Sequence, residues 1–424
     1  MSVNADLNGS IAVGLLSAPL PSRIISAITD AGGEARFVGG MVRDAVLLHD
    51  KSDHPGDIDM ATTLHPDDVV RVLKGAGLRV IPTGIAHGTV TVVAPQNPPH
   101  PSPQTPGPVV ELTTLREDIT TDGRHAEVRF GTDWTEDARR RDFTINSMSL
   151  DHHGKLHDPF GGLADLKAGI VRFVGDAETR IREDYLRIMR FFRFYSRFGK
   201  TAPDAEAMQA ITLLAEHLDR ISGERMGHEM RGIMAAGHLP GLKAMMRAGV
   251  DRLIAPGGFK LDGMQALLAL KGFDAPMLRL GFIIAGADRQ ATATRLRLSR
   301  REARQLALAD DAVDAGSLEG GDWQQQAWPL LRSGEQAPED LASRYAMSAI
   351  RQSGTVDQAA YRRLNEWHLP VMPLGGDDIR ERGVPAGEGI GVILRRIEAE
   401  WAASGFQLSR DDLLKKLDDI LATE

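Results

Sequence analysis

The spacing of apolar residues changes character along the chain and divides it. In 22–31, Ile24, Ile25 and Ile28 recur at a helical period. The short apolar run Ala35-Arg36-Phe37-Val38 ends at Gly39-Gly40, and helical spacing returns over 41–49. This order predicts helix, strand, glycine turn, helix. Between about 78 and 115 the β-branched runs 78–81, 89–93 and 109–112 predict strands. The last two flank a segment, 94–108, too rich in proline for sheet or helix, which reads as a surface excursion between neighbouring strands. From about 176 strand signals fade and helical periodicity takes over, as in 183–198, 205–218, 241–247 and 413–421. A composition shift over 313–325 marks a loop or joint. The pattern predicts an α/β head followed by a long all-helical remainder.

A chain of 424 residues exceeds what one hydrophobic core usually serves, so two or more domains are expected. Cysteine is absent, which excludes disulfides and thiolate metal sites and fits a cytoplasmic location. The first 21 residues do not read as a signal peptide, and no apolar stretch suffices to cross a bilayer, so no membrane partner is expected. A net charge of −8 argues mildly against a nucleic-acid partner, although the distribution of charge matters more than its sum.

Candidate chemistry begins at Asp57-Ile58-Asp59. Carboxylates at i and i+2 on a strand share a face and can hold hard cations, as phosphoryl transfer from a nucleoside triphosphate requires. Alone, such a pair is more often two solvated aspartates. Upstream, Gly39 and Gly40 run into a helix carrying Arg43. Glycine lets backbone N–H groups approach phosphate, though a plain tight turn explains a glycine pair equally well. Glu111, on an adjacent predicted strand, is either a third carboxylate of the site or a solvent-facing residue. The triplet Arg139-Arg140-Arg141 precedes an apolar stretch that reads as a helix. Cations at a helix start oppose its dipole and invite an anionic partner. Over 184–198, Arg187, Arg190, Arg193 and Arg197 fall on one side of a helix, with Ile188, Phe192 and Tyr195 roughly opposite. The segment 116–124 reads as a polar loop with Asp122-Gly123-Arg124 at its tip. Histidines show no metal-hydrolase spacing, and Trp323, Trp328, Trp367 and Trp401 read as core residues before RNA-stacking ones.

Taken together, Gly39-Gly40-x-x-Arg43-Asp44, Asp57-x-Asp59 and Arg140-Arg141-Asp142-Phe143-Thr144-Ile145-Asn146 resemble the class II tRNA nucleotidyltransferase and bacterial poly(A) polymerase family, within the DNA polymerase β superfamily. Asp158-Pro159-Phe160-Gly161-Gly162, Glu183-Asp184-Tyr185-Leu186-Arg187 and Ser222-Gly223-Glu224-Arg225 with Glu229 resemble its further motifs, in the family's order. The match runs from about residue 37 to 230 and weakens beyond about 250.

The resemblance implies an α+β molecule. Its polymerase β-like head, 22–165, has a mixed sheet; a helical neck with a nucleotide-selecting helix follows over 166–235, then a helical, tRNA-binding body and tail over 236–424. It implies a CCA-adding enzyme that transfers CMP and AMP from CTP and ATP to the tRNA 3′ end and releases pyrophosphate. Two Mg2+ ions would sit on Asp57 and Asp59, with Glu111 completing the catalytic carboxylates. Gly39, Gly40, Arg43 and Arg141 would hold the nucleotide from the head. Asp184 and Arg187 would read its base, with Arg190 and Arg193 beside them, and Asp122 and Arg124 would belong to a flexible loop. An aspartate accepts from the exocyclic amine that C and A both carry. Poly(A) polymerase, a partial CC- or A-adding enzyme and a silent RNA-binding protein are the alternatives. A monomer is favoured over an oligomer.

Overall fold

The computed structural model describes residues 16–47, 58–94, 109–121, 126–284, 286–332 and 337–422. Asp57, Asp122, Arg124 and almost all of the proline-rich segment fall outside that set. Packing divides the chain into two units, Met1–Leu253 and Ile254–Glu424.

The first unit is built on nine strands: β1 (Ala35–Val38), β2 (Ile58–Thr62), β3 (Arg79–Gly84), β4 (Thr89–Val93), β5 (Val109–Thr114), β6 (Arg116–Thr121), β7 (Ala126–Phe130), β8 (Ser149–Leu150) and β9 (Leu156–His157). Seven form one sheet in the order β3-β4-β5-β2-β1-β8-β9. Only β2 and β5 run parallel, so the sheet is mixed. The excursion around 94–108 does join neighbouring strands, since β4 and β5 pair antiparallel.

Side chains alternate between faces. Phe37, Met60, Val90, Val92, Val110 and Leu112 are buried. Helices Pro19–Asp30 and Pro66–Gly75 pack on each other and on the sheet, burying Ile24, Ile25, Ile28, Val69 and Leu73. The opposite face carries Asp59, Glu111 and Thr91 beside the buried apolar residues Val38 and Ala61.

Three expectations change. The segment after Leu115 is a two-stranded hairpin, β6 with β7, and not a loop; an Asp-Gly tip is a hairpin signal when extended residues flank it. The basic triplet ends a helix and does not start one. Asp133 caps helix Trp134–Arg139 by accepting from Thr135 N and Glu136 N. The residues beyond Arg141 continue as extended backbone at Phe143, then a single 3-10 turn, Thr144–Asn146. The dipole therefore favours these arginines, and the argument from an opposed dipole falls. Lastly, the helix expected over 183–198 breaks at Asp184, which is extended (φ −152°, ψ 105°) between helices Ala177–Glu183 and Leu186–Phe198.

Helices Leu186–Phe198 and Gly223–Ala236 pack together in the same unit. Gly162 is required where the head turn meets helix Gly162–Ala168, because a Cβ there would lie 2.1 Å from the Thr144 carbonyl oxygen.

The second unit is helical, with one isolated bridge, Phe259 to Ile284, among the described residues. In helix Pro338–Ser353, residues 341–350 are all buried. A further cluster gathers Trp328, Ile393, Ile397, Trp401, Leu413, Leu417 and Ile420. Trp328 and Trp401 cross edge to face at 5.7 Å and Trp323 and Trp367 at 5.1 Å, so the tryptophans pack with one another. No described helix is long and apolar enough to cross a membrane.

Candidate active site

The parallel pairing of β2 with β5 sets Asp59 directly beside Glu111, and Glu111 in turn pairs with Thr91 on β4. A cavity over this face is lined by Val38, Asp59, Glu111, Thr113, Arg116, Arg140 and Arg141, among others. Thr89 and Thr113 hydroxyls hydrogen-bond across the strands at 3.0 Å. Arg116 Nη1 donates to the His87 carbonyl at 2.6 Å, which gives the residues before β4 a place at the site's edge. The structure thus brings the two described carboxylates together, as neighbouring hard oxygen donors.

Gly39 closes one side. It adopts φ +76°, and a Cβ on it would meet Arg141 Nη1 at 3.4 Å and Asp59 Oδ2 at 3.8 Å. A left-handed glycine here lets the strand end, the guanidinium and the carboxylate converge. Helix Gly40–Leu47 starts at the next residue, and the first N–H groups of a helix have no partner within it. Arg141 is steered by Asp137 (3.3 Å), which also takes Arg140 at 2.7 Å.

Arg43 is not displayed as a free cation. It is 5% exposed; Nε donates to Asp44 at 2.9 Å, Nη1 donates to Asn146 Oδ1 at 2.6 Å, and the guanidinium lies 4.5 Å from the Phe198 ring. Burial draws its pKa down, with Asp44 opposing. From Arg43 a chain of polar contacts leads to the neck. Asn146 Nδ2 donates to Asp142 Oδ1 (3.0 Å), Asp142 Oδ2 accepts from Arg190 Nε (2.7 Å), and Glu229 lies 2.9 Å from Arg193 Nε and 3.9 Å from Arg190. Burial alone would raise the Asp142 carboxyl; Arg190 and the donors from Asn146 and Phe143 outweigh it and hold it below the usual carboxylate range. Glu229, only 3% exposed, is pushed up by burial despite its two arginines. The arginine stripe is therefore matched by carboxylates: Arg197 reaches Asp44 at 3.5 Å and Arg187 reaches Glu183 at 2.5 Å.

Asp184 sits at the break between the two helices. Its Oδ1 accepts from Leu186 N at 3.1 Å and its Oδ2 from Arg225 Nη2 at 2.6 Å. Arg187 donates to the carbonyls of Arg180 (2.8 Å) and Arg140 (3.0 Å) as well as to Glu183. Both side chains are thereby fixed in direction, and Arg187 ties the neck to the backbone of the basic triplet. In the sequence Asp142, Asn146, Arg225 and Glu229 stand only as members of the family motifs, with no contact assigned to them; a further signal was excess charge on the arginine stripe, which in a buried setting demands partners.

Comparison with known proteins agrees with this geometry. Residues 35–172 match the Poly A polymerase head domain family. The chain is 36% identical over 396 residues to human CCA tRNA nucleotidyltransferase 1, mitochondrial, covering 90% of this chain and 86% of the human one. It is 39% identical over 220 residues to the CCA-adding enzyme of Oceanobacillus iheyensis, about half of each chain. The crystal structure of the Bacillus stearothermophilus CCA-adding enzyme in complex with CTP superposes with a TM-score of 0.61 at 27% identity, covering 96% of this chain and 98% of that one. The expected cytoplasmic location does not stand, because the human and mouse relatives, each 36% identical to this chain, are named as mitochondrial proteins. A lack of cysteine reports on redox environment and does not separate one reducing compartment from another. The order of the glycine, carboxylate and arginine motifs, their convergence on one sheet face and identity sustained over most of the human protein all lead to one assignment: the chain belongs to the class II CCA-adding tRNA nucleotidyltransferase and bacterial poly(A) polymerase family.

Proposed function

We propose that this chain adds CMP and AMP from CTP and ATP to the 3′ end of tRNA, building the CCA terminus without a nucleic-acid template. The observation that carries the reading is the pairing of Asp59 with Glu111 on parallel strands, beside Gly39 and Arg141. The human relative, matched over 86% of its length, is named for this activity.

In the reaction the tRNA 3′-hydroxyl oxygen attacks the α-phosphorus. The new P–O bond forms as the bond to the bridging oxygen breaks, pyrophosphate leaves with that electron pair, and the hydroxyl proton is given up to solvent. Asp59 and Glu111 fit a magnesium site by donor type and by adjacency, and Asp57 would complete it. When bound, the ions acidify the hydroxyl and neutralise phosphate charge. The protein's own groups do the rest. Gly39 and Gly40 offer backbone N–H groups to the triphosphate and Arg141 stands against it. Arg43 acts from beneath, through Asn146, by fixing the turn that follows Arg141. Asp184 accepts from the exocyclic amine of C or A, with its other oxygen held by Arg225, and Arg187 donates to the ring edge. The second unit binds tRNA.

The deciding experiment is extension of a tRNA transcript lacking CCA, with magnesium and CTP, ATP or both. Growth by C first and then A, stopping after three nucleotides, is expected. Long tails from ATP alone would establish a poly(A) polymerase instead, and addition limited to CC or to A would establish a partial enzyme.

A further inference from the structure

Two neighbouring residues at the helix break are held by one stretch of the neck. Asp184 is extended and interrupts the hydrogen-bond ladder between helix Ala177–Glu183 and helix Leu186–Phe198, so side chains set the angle there. Arg225 donates to Asp184 Oδ2 at 2.6 Å. The next residue, Tyr185, places its ring 4.7 Å from that of His217, and the Arg220 guanidinium lies 5.7 Å from the Tyr185 centroid. His217 and Arg220 belong to the 3-10 segment Ala215–Arg220, and Arg225 lies in the first turn of helix Gly223–Ala236. The stretch 217–225 therefore supplies partners to both residues. It is itself anchored, because Leu218 and Ile221 are buried, Ile221 N donates to the Leu218 carbonyl at 3.1 Å, and Ser222 Oγ accepts from Arg225 N.

The two grips differ in stiffness. Arginine is long and rich in rotamers, so Arg225 can follow the carboxylate through a small rotation and keep the ion pair. Its side chain is also 37% exposed, which lets water compete for Asp184. A tyrosine ring is rigid, and one seated against an imidazole and a guanidinium resists such a rotation. Direction is what Asp184 has to keep, since a hydrogen bond from an exocyclic amine weakens steeply as its angle closes.

We infer that Tyr185, seated on His217, is a positioning residue for base selection: it fixes the start of helix Leu186–Phe198 and with it the direction in which Asp184 accepts. The inference rests on the reading of Asp184 as the group that accepts from C and A. Tyr185 needs no contact with the nucleotide in this role and acts through its neighbour alone.

Single-turnover incorporation of CTP, ATP, UTP and GTP by the full-length protein, on a tRNA lacking CCA and below the lowest melting temperature of the set, tests this. Tyr185→Ala is expected to lower the preference for C and A over U and G about five-fold, the order of one lost aromatic contact. Tyr185→Phe keeps the ring and is expected to select as the parent does, and His217→Ala to fall between the two. In an Asp184→Ala background Tyr185→Ala is expected to add nothing, because its effect runs through the carboxylate. A further loss in that double variant, or unchanged preference in Tyr185→Ala, overturns the assignment. So does an equal fall for all four nucleotides, which a merely structural ring would give, or a raised KM for tRNA with preference intact, which would make the ring an RNA contact. Parental preference in Asp184→Ala would remove base reading from Asp184 and the clamp with it. A neutral Tyr185→Ala beside a defective Asp184→Ala removes the clamp alone.

Discussion

Asp59 and Glu111 stand side by side with like charge, an arrangement that costs energy unless a cation lies between them. Replacing Asp59 by alanine removes a hard oxygen donor that the reaction needs. Asp59→Ala is expected to lower CMP incorporation about a thousand-fold, roughly 4 kcal/mol of transition-state stabilisation. Its urea midpoint should stay within error of the parent; retained activity, or loss of the fold, would remove Asp59 from the site. Asp184 has a different task, to discriminate and not to activate. Asp184→Ala is expected to reduce the preference for C and A over U and G about ten-fold in single-turnover assays, with a smaller effect on triphosphate affinity. Unchanged base preference would count against the protein-template reading.

Between the head turn and the neck helix, ion pairs add to apolar packing, and here the sequence told less. The glycine turn, the strand bearing Glu111 and the amphipathic neck helix were legible because each rests on local spacing: Phe37 and Val38 before Gly39, Val109 to Leu112, arginines three and four apart; the parallel pairing that sets Asp59 beside Glu111 was not. What those arginines touch was not legible, because Asp142, Asn146 and Glu229 meet them only through tertiary packing. The basic triplet misled for a related reason. Its apolar sequel is buried backbone around Phe143, whose ring packs 4.9 Å from Phe173, and burial mimics helix when read from composition alone. The carboxylate joining head turn to neck helix gives a pH signature. Asp142 lies below its unfolded pKa of about 3.9. It contributes stability above that value and loses it as pH falls through the folded pKa. Melting temperature should therefore drop as pH is lowered below about 4. Asp142→Asn should cost on the order of 2 kcal/mol at neutral pH and flatten that acid limb. Glu229, shifted the other way, tilts the curve in the opposite sense above about pH 4.3. An acid limb as steep in the variant as in the parent would assign it to other carboxylates, Asp137 first among them.

At the scale of the molecule, the described chemistry lies wholly within Met1–Leu253, while Ile254–Glu424 has a core of its own. A division of labour follows if the second unit serves tRNA and the first serves the nucleotide. Trp401 offers a clean test, because it is 2% exposed and packs within the second unit, 5.0 Å from Phe406 and 5.7 Å from Trp328. Trp401→Ala leaves a cavity that costs about 3–5 kcal/mol where the surroundings cannot collapse. Loosening that cluster disturbs whatever surface the helices of the second unit present. The variant is thus expected to raise the KM for tRNA about ten-fold at a temperature below its melting point, and to bind CTP as the parent does by titration. A parallel loss of CTP affinity would mean that the second unit shapes the nucleotide site as well. Intact tRNA use in a measurably destabilised variant would place the RNA contacts on the head and neck, where the arginines of the Leu186–Phe198 helix already stand.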